Sequence, residues 1–561
     1  MRRDAVWLAG WRPYALLAAL CLVLYLPGIA SIPPLDRDEA RFAQATRQML
    51  ETGDFLRIRF QDEARNKKPA GIYWLQAAAV AASSTPESTA IWPYRLPSFA
   101  GALIAVLLTF ALGGALFARD AEGSPPRLVA LAAAILLAAS FAVVAEAHIA
   151  KTDAALLAAI VAGQGALGLV YVRARTGRPA LPALAAMFWV AETAAILLKG
   201  PVGPALAILT VLTLSIADRE WRWLRGFYLL AGLLFMLILI VPWLVAIERA
   251  TSGAFIADSL GRDFWSKLIG AQESHGAPPF TYLLLSIATF WPGSLLLVPA
   301  LAHAWRRRRV PAERFLLAWL APAWIVLELL PTKLPHYTMP LYPALALLAG
   351  AALAEGARAM APMAPRWLRY ADVAVTALWS IVTIALASAL VGLPIRFGNQ
   401  LSAAGMIGAA VLLGAAAAVL FRRPRPGLFV AVIAGLSAVF MLPAGLAVLP
   451  ALDRLWLSRG AAELVAQYPP AAGAPLVAIG YDEPSLVFLL GGHVRLAMPG
   501  NAADILAGGG AALVSDREDA MFRQSLSARA LNAHPLGSVA GLDYSNGQRL
   551  VLTLYDVGHM E

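Results

Sequence analysis

Five short stretches bring acids and bases together in a chain that is otherwise strongly apolar. Asp36-Arg37-Asp38-Glu39-Ala40-Arg41 is followed by Asn66-Lys67-Lys68-Pro69 with Tyr73-Trp74 close behind. Glu146-Ala147-His148-Ile149-Ala150-Lys151-Thr152-Asp153, Leu198-Lys199-Gly200-Pro201 and Pro331-Thr332-Lys333-Leu334-Pro335-His336-Tyr337 come later. The acids of interest are Asp38, Glu39 and Asp153. The cations are Arg41, Lys67, Lys68, Lys199 and Lys333, with His275, His336 and Tyr337 as an aromatic and imidazole rim. Positive charge in excess around a few carboxylates suits a phosphate-bearing substrate. A carboxylate beside the attacked centre suits activation of a nucleophile. No glycine-rich strand–loop–helix stretch is present, which argues against a nucleotide-binding fold.

Each stretch alone has a plainer explanation. Asp36 with Glu39 three residues on fits a capped helix, and acids favour a helix N-terminus. Lys67 and Lys68 beside Tyr73-Trp74 fit a headgroup anchor. Thr152-Asp153 could cap the next helix, and Lys199 suits a helix C-terminus. A lone His336 is usually structural. His275 could contact substrate or cap its loop. The five stretches gain weight only if the fold gathers them in one place.

The elements that must position them are membrane helices. Of 561 residues, 60% are apolar and 14% charged, with a formal net charge of +10. A soluble domain carries roughly 25% charged residues, so a water-soluble enzyme is excluded. One cysteine, Cys21, excludes an intramolecular disulfide framework, a Cys-rich zinc site and an iron–sulfur cluster. Thirteen long apolar runs read as spans: 14–32, 96–118, 128–147, 151–172, 181–198, 200–217, 226–247, 280–302, 313–331, 337–356, 371–392, 402–421 and 427–449. Small residues near Ala30 are the competing mark of a cleaved signal for the first run. A shorter run, Pro69–Ser83, is too short to cross comfortably and is expected to lie on the outer surface. With it outside, six basic loops fall on the cytoplasmic side: Arg119/Arg127, Arg173/Arg175/Arg178, Arg219/Arg222/Arg225, Arg306–Arg309, Arg358/Arg366/Arg369 and Arg422/Arg423/Arg425. The N-terminus is then cytoplasmic. Loops 33–95 and 248–279, the connections near 148–153, 199–203 and 332–337, and everything after about residue 450 lie outside. An assignment made from basic loops alone thus collects the five stretches on one face.

Composition divides the chain into a transmembrane domain, 1–450, and an outer domain, 451–561. The tail opens with a helix-compatible stretch, Leu452–Gln467, and a Pro/Ala/Gly turn. Short apolar runs at Leu476–Gly480, Ser485–Leu490, Ala511–Val514 and Arg549–Tyr555 follow, separated by turns such as Ser545-Asn546-Gly547. This reads as a small α/β domain. Asp482-Glu483 reads as a solvated tip.

Taken in order, Asp38-Glu39-Ala40-Arg41, Lys68-Pro69 before Tyr73-Trp74, Thr152-Asp153, Lys199-Gly200-Pro201 and Lys333-Leu334-Pro335-His336-Tyr337 resemble the membrane glycosyltransferases of the GT-C fold. The nearest likeness is to the lipid A aminoarabinose transferases, among the protein mannosyltransferase-like enzymes. It covers residues 13–356 well and beyond that rests on architecture. The resemblance implies a mainly α, polytopic GT-C protein of about thirteen spans in a bacterial inner membrane. It implies inverting transfer of a sugar from a polyprenyl-phosphate donor, such as undecaprenyl phosphate, to lipid A or another envelope glycan or glycolipid at the periplasmic face. Asp38 would be the catalytic base or an orienting carboxylate and Asp153 a second acid. Glu39, Arg41, Lys68, Lys199, Lys333, His336 and Tyr337 would bind substrate.

One position departs from the resemblance. The aminoarabinose transferases resemble each other in a Glu before the motif lysine, which with a loop His can hold a metal; here the residue is Lys67. A lysine beside Lys68 repels a divalent cation, so no cofactor is expected, a divalent metal being the disfavoured alternative. Lys67 is expected to pair with Asp263 in its place and pin loop 248–279 over the site. The expected partners are the lipid-linked donor, a lipid or glycan acceptor and membrane lipids, with no nucleic acid, the protein acting as a monomer. The competing functions are a transporter or flippase for a lipid-linked sugar and a membrane scaffold. Transporters place ionisable groups at mid-membrane and often carry repeats; neither is apparent here.

Overall fold

The computed structural model describes residues 8, 10–35, 37–118, 126–259, 261, 276–356, 364–398, 400–422 and 425–559. Each of the thirteen apolar runs is mainly helical over its described residues. Among these residues, eight helices are long and apolar enough to span a membrane, or nine if a bent pair counts as one. That pair, Pro126–Ala139 and Phe141–Ala147, bends by 60°. The remaining runs are short, broken or more charged: Arg12–Tyr25, Val202–Asp218, the pieces Thr281–Thr289 and Leu297–Arg306, and Pro311–Leu329, which carries Glu313, Arg314 and Glu328. The first run is built into the bundle. Leu17, Cys21, Leu24 and Tyr25 are buried, and the Tyr25 hydroxyl donates to the Ala138 carbonyl at 3.0 Å.

Helices Asp153–Arg175 and Pro335–Ala354 are central and mostly buried, whereas Leu229–Ala250 and Arg366–Phe397 present most of their surface outward. Helices that are apolar all round belong in such a bundle, facing either neighbours or lipid. One end of the bundle is stitched by Arg175 and Arg314, both paired with Asp218, and by Arg307 paired with Glu313. These residues come from three of the loops expected to share the basic side. The five chemically interesting stretches occupy the other end.

Pro69–Ser83 is the helix Gly71–Ser83, thirteen residues. That is about 20 Å of helix, short of a hydrocarbon core of about 30 Å. It docks sideways onto helix Pro182–Lys199. A Cβ at Gly71 would lie 2.5 Å from the Leu197 carbonyl oxygen, so only glycine allows this approach.

The outer domain contains a five-stranded mixed sheet in the order Val494–Leu496, Leu476–Ile479, Gly510–Ser515, Gln548–His559, Leu531–Asp543. The first three strands are parallel, and the last two form an antiparallel hairpin closed at Ser545-Asn546-Gly547. Helix Leu457–Gln467 lies within the expected helical stretch. The expected solvated tip needs correcting: Asp482 is exposed, but Glu483 is only 1% exposed. It faces the membrane domain, where Arg37 meets it.

Candidate active site

Helix Arg37–Thr52 carries the first motif. Phe42, Ala45 and Met49 form its apolar stripe and pack with Ile72, Tyr73, Ala155 and Leu198. The helix stops before Gly53, as the spacing predicts. Asp38 and Glu39 lie about 100° apart around it, and their fates differ. Asp38 is 54% exposed. Its Oδ1 accepts from Arg65 at 3.2 Å, with Arg41 at 3.7 Å. Desolvation acts to raise the Asp38 pKa, but Arg65, then Lys151 and Arg41, outweigh it and hold the carboxyl below its ordinary 3.8.

Glu39 is 0% exposed. Both its oxygens meet the Arg95 guanidinium, at 2.8 and 3.0 Å, and they also accept from the backbone N–H of Ala150 and Leu35. Arg95 further donates to the carbonyls of Ile29, Ile32 and Pro33. The expectation that Glu39 binds substrate is therefore overturned. Its lone pairs are engaged, and it ties the first outer loop to the connection at 150. The proposed Asp36–Glu39 cap lies partly outside the described residues, at Asp36; the Glu39 bond to Leu35 N–H is the part seen.

Consecutive antiparallel helices bring the second acid to its cation. Asp153 opens helix Asp153–Arg175, and Lys199 closes helix Pro182–Lys199. Each stands at the end that its charge favours, and the two side chains form an ion pair. Gly200, at φ +66°, turns the chain away directly after Lys199. The plainer readings of these residues and the functional one hold together, because the helix ends meet in the cluster.

The connection at 335–337 completes the constellation. His336 lies 3.7 Å from Asp153 and 3.5 Å from Glu146. The Lys199 ammonium sits 5.4 Å from the Tyr337 ring centroid, and that ring packs edge-on against His336. Lys151 pairs with Glu146 at 3.7 Å and lies close enough to act on both Asp38 and Asp153. Asp38, Glu146 and Asp153 thus stand among Arg41, Arg65, Lys151 and Lys199, one cation more than acids before His336 is counted. That surplus suits a bound anion.

Three of these residues, Arg65, Glu146 and Lys151, were not among the expected site residues. The signal for them was in the sequence: ionised groups are costly in an apolar chain, and all three adjoin the motifs. Lys333 fails in the opposite sense. It is buried, and its ammonium donates to the carbonyls of Glu328 and Leu330 at the end of helix Pro311–Leu329, over the Tyr282 ring. It caps that helix and does not join the cation cluster. Lys68 is half-buried and Lys67 exposed, on the segment beside Arg65. The Lys67–Asp263 pair and His275 lie outside the described residues, because 262–275 do. One tie between loop 248–279 and this segment is described: Asn66 Nδ2 donates to Asp258 at 3.1 Å. Among the described residues, no three His, Cys, Asp or Glu side chains converge as metal ligands.

Beside the cluster lies an apolar cavity of about 560 Å³ between helix Gly71–Ser83 and three spans. Leu75, Leu96, Ile104, Met187, Val190 and Leu198 are among its walls. Two of its wall residues, Ala155 and Leu198, lie two residues and one residue from Asp153 and Lys199 in sequence.

Comparison with known proteins follows the same lines. Residues 12–254 match the family described as dolichyl-phosphate-mannose-protein mannosyltransferase. The chain is 30% identical over 351 residues to the undecaprenyl phosphate-alpha-4-amino-4-deoxy-L-arabinose arabinosyl transferase of Pseudomonas paraeruginosa, a match covering 60% of each chain. It is 28% identical over 353 residues to the protein so named in Edwardsiella ictaluri, covering 61% of this chain and 59% of that one. The match therefore spans about 60% of the length of these curated relatives. Likeness to a solved structure extends further. The crystal structure of ArnT from Cupriavidus metallidurans bound to undecaprenyl phosphate superposes with a TM-score of 0.73 at 19% identity, over 97% of this chain and 98% of that one. Its apo state gives 0.71 at 20% identity, over 96% and 97%. The motif resemblance is borne out, and the chain is a polytopic membrane protein with the GT-C fold and a small outer α/β domain.

Proposed function

We propose that the protein is an inverting glycosyltransferase. It moves a sugar from a polyprenyl-phosphate donor of the undecaprenyl type to lipid A or another envelope glycan or glycolipid. The reaction takes place at the periplasmic face of a bacterial inner membrane, with the N-terminus cytoplasmic and the outer domain periplasmic. The observation that carries this reading is an apolar cavity and a cation-rich cluster built on the same helices, Asp153–Arg175 and Pro182–Lys199. A donor with a long isoprenoid tail and a charged phosphate head matches both halves. The relatives' names and the lipid in the solved structure agree with it.

In this reading Lys199, aligned by Asp153 and backed by Tyr337, meets the donor phosphate, with Arg41 and Lys68 at the rim. The acceptor oxygen attacks the anomeric carbon from the face opposite the phosphate. The new carbon–oxygen bond forms as the bond to the phosphate oxygen breaks, and the phosphate leaves with the electron pair. The cations stabilise that developing charge, so no proton needs to reach the leaving group. Asp38, kept well ionised by its cations, is a weak base and acts mainly by orienting the acceptor. An acceptor phosphate arrives already ionised. An acceptor hydroxyl passes its proton through Asp38 to water. No step is routed through a metal ion.

The test is a lipid and glycan mass comparison of source cells carrying the wild-type protein or Asp38→Asn. Loss of one defined sugar mass from lipid A or an envelope glycan, with the variant still inserted, is the expected result and identifies the acceptor. An unchanged profile with full function would refute the assignment of Asp38 and return weight to a carrier.

A further inference from the structure

The connection at residues 148–152 carries Lys151 and leads into Asp153, yet it is neither helix nor strand. No helical or strand ladder fixes it; buried side chains from its neighbours do. The Ala150 N–H donates to Glu39 at 2.9 Å, and the Ala150 carbonyl accepts from Gln76 Nε2 at 3.1 Å. Gln76 Oε1 in turn accepts from the Thr46 hydroxyl at 2.7 Å. Glu39 and Thr46 stand on one face of helix Arg37–Thr52, about two turns apart. The helix that carries Asp38 thus holds both backbone polar groups of one residue, directly at the N–H and through Gln76 at the carbonyl.

Glu39, Thr46, Gln76 and Ala150 are all buried. Gln76 sits in the mostly apolar helix Gly71–Ser83. A buried amide is costly there unless it is bonded, and both ends of this one are. A satisfied buried network of this kind selects one arrangement of its parts. Helix Gly71–Ser83 begins just after Lys67-Lys68-Pro69. The Gln76 amide therefore joins three of the motif-bearing segments: the Asp38 helix, the helix after the lysine pair, and the connection with Lys151 and Asp153. On its other side, Ser98 donates to the Lys151 carbonyl at 3.1 Å and ties the same connection to helix Trp92–Leu116. Without Gln76 the Ala150 carbonyl loses a buried partner, and the connection would pivot about its remaining bonds. The Asp153–Lys199 pair, built from two helix ends, would stay formed. What changes is the spacing between that pair and Asp38.

We infer that Gln76 is a positioning residue for transfer: it sets the spacing between the helix of Asp38 and the Asp153–Lys199 pair. This rests on the transferase reading above. In that reading one side meets the donor phosphate and the other orients the acceptor. Their spacing then bears on the rate of the joint step and not on the binding of the donor lipid.

The experiment uses the full-length protein in source-cell membranes, which supply donor and acceptor, with sugar-modified glycan measured per folded molecule. Undecaprenyl phosphate alone is the binding probe, titrated against the purified full-length protein. Gln76→Leu is expected to slow transfer about 10–100-fold, the scale of a misplacement of about 1 Å, with affinity for undecaprenyl phosphate within about twofold of wild type. Thr46→Val, which removes one hydroxyl from the same chain of bonds, should also slow transfer, and Thr46→Ser should stay near wild type. Because the two residues act through one chain, Thr46→Val added to Gln76→Leu should cause no further loss. A merely structural role predicts less folded protein but wild-type transfer per folded molecule. Wild-type transfer by folded Gln76→Leu or folded Thr46→Val overturns the inference. So does an equal fall in undecaprenyl phosphate affinity, or a double variant whose losses multiply. If Gln76→Leu does not accumulate, Thr46→Val against Thr46→Ser decides on the same terms. Failure of the transferase reading looks different: the wild type yields no sugar-modified product, and this inference falls with it. If Asp38→Asn abolishes product while folded Gln76→Leu transfers normally, only the present inference falls.

Discussion

Two adjacent carboxylates on one helix have opposite duties. Glu39 turns inward and locks four pieces of chain through Arg95, while Asp38 turns outward to a half-exposed rim of cations. The first region is closed and fully satisfied, and its contribution is to stability. The second keeps an acid accessible beside surplus positive charge, which suits function at some cost in stability.

The largest expected effect breaks the lock. Glu39→Ala leaves Arg95 buried without its partner and should cost about 3–5 kcal/mol, read as thermal unfolding in detergent. Asp38→Asn should do the reverse. Transfer falls about 10²–10³-fold, while the unfolding midpoint barely moves, as expected within about 0.5 kcal/mol of a partly exposed site. If Asp38→Asn destabilised as much as Glu39→Ala, the contrast between the two regions would be lost. Lys199→Met probes the rim's anion binding. Affinity for undecaprenyl phosphate should drop about tenfold, in line with losing one charge-assisted hydrogen bond, as titrated by calorimetry. Val190→Trp narrows the apolar cavity and should weaken the long-chain lipid about fivefold while sparing a short-chain isoprenyl phosphate.

The smallest effect is in pH. Because the folded pKa of Asp38 lies below 3.8, its charge contributes above that value and is lost only as pH falls through the lower folded value. Transfer should therefore show no Asp38 limb between about pH 5 and 8. An acid limb in that window that Asp38→Asn removes would show the carboxyl to be a tuned base.

Much of the fold was legible. The thirteen apolar runs mark helices because hydrocarbon excludes unsatisfied backbone, leaving an apolar run few other forms. The short length of Gly71–Ser83 predicted a surface helix, and the basic loops divided the chain between two ends. The motif order also placed Asp38, Arg41, Asp153, Lys199, His336 and Tyr337 on one face, where the structure has them. Three assignments went astray. Glu39 looked like its neighbour because a motif does not say which way a helix is rotated; that depends on Arg95, 56 residues away. Lys333 looked like another site cation because its helix-end carbonyls are invisible in sequence. Glu483 looked like a solvated tip because Arg37, the cation that meets it, belongs to the other domain.

The sequence by itself determined the membrane class, the helices and the gathering of the charged stretches at one end of the bundle. All three follow from the cost of placing polar groups in hydrocarbon, a cost paid residue by residue along the chain. Only the tertiary structure decided which charges pair. Pairing depends on helix rotation and on contacts between segments far apart in the chain, as with Arg37 and Glu483. Whether an acid is buried and locked or open and reactive is settled by what packs around it.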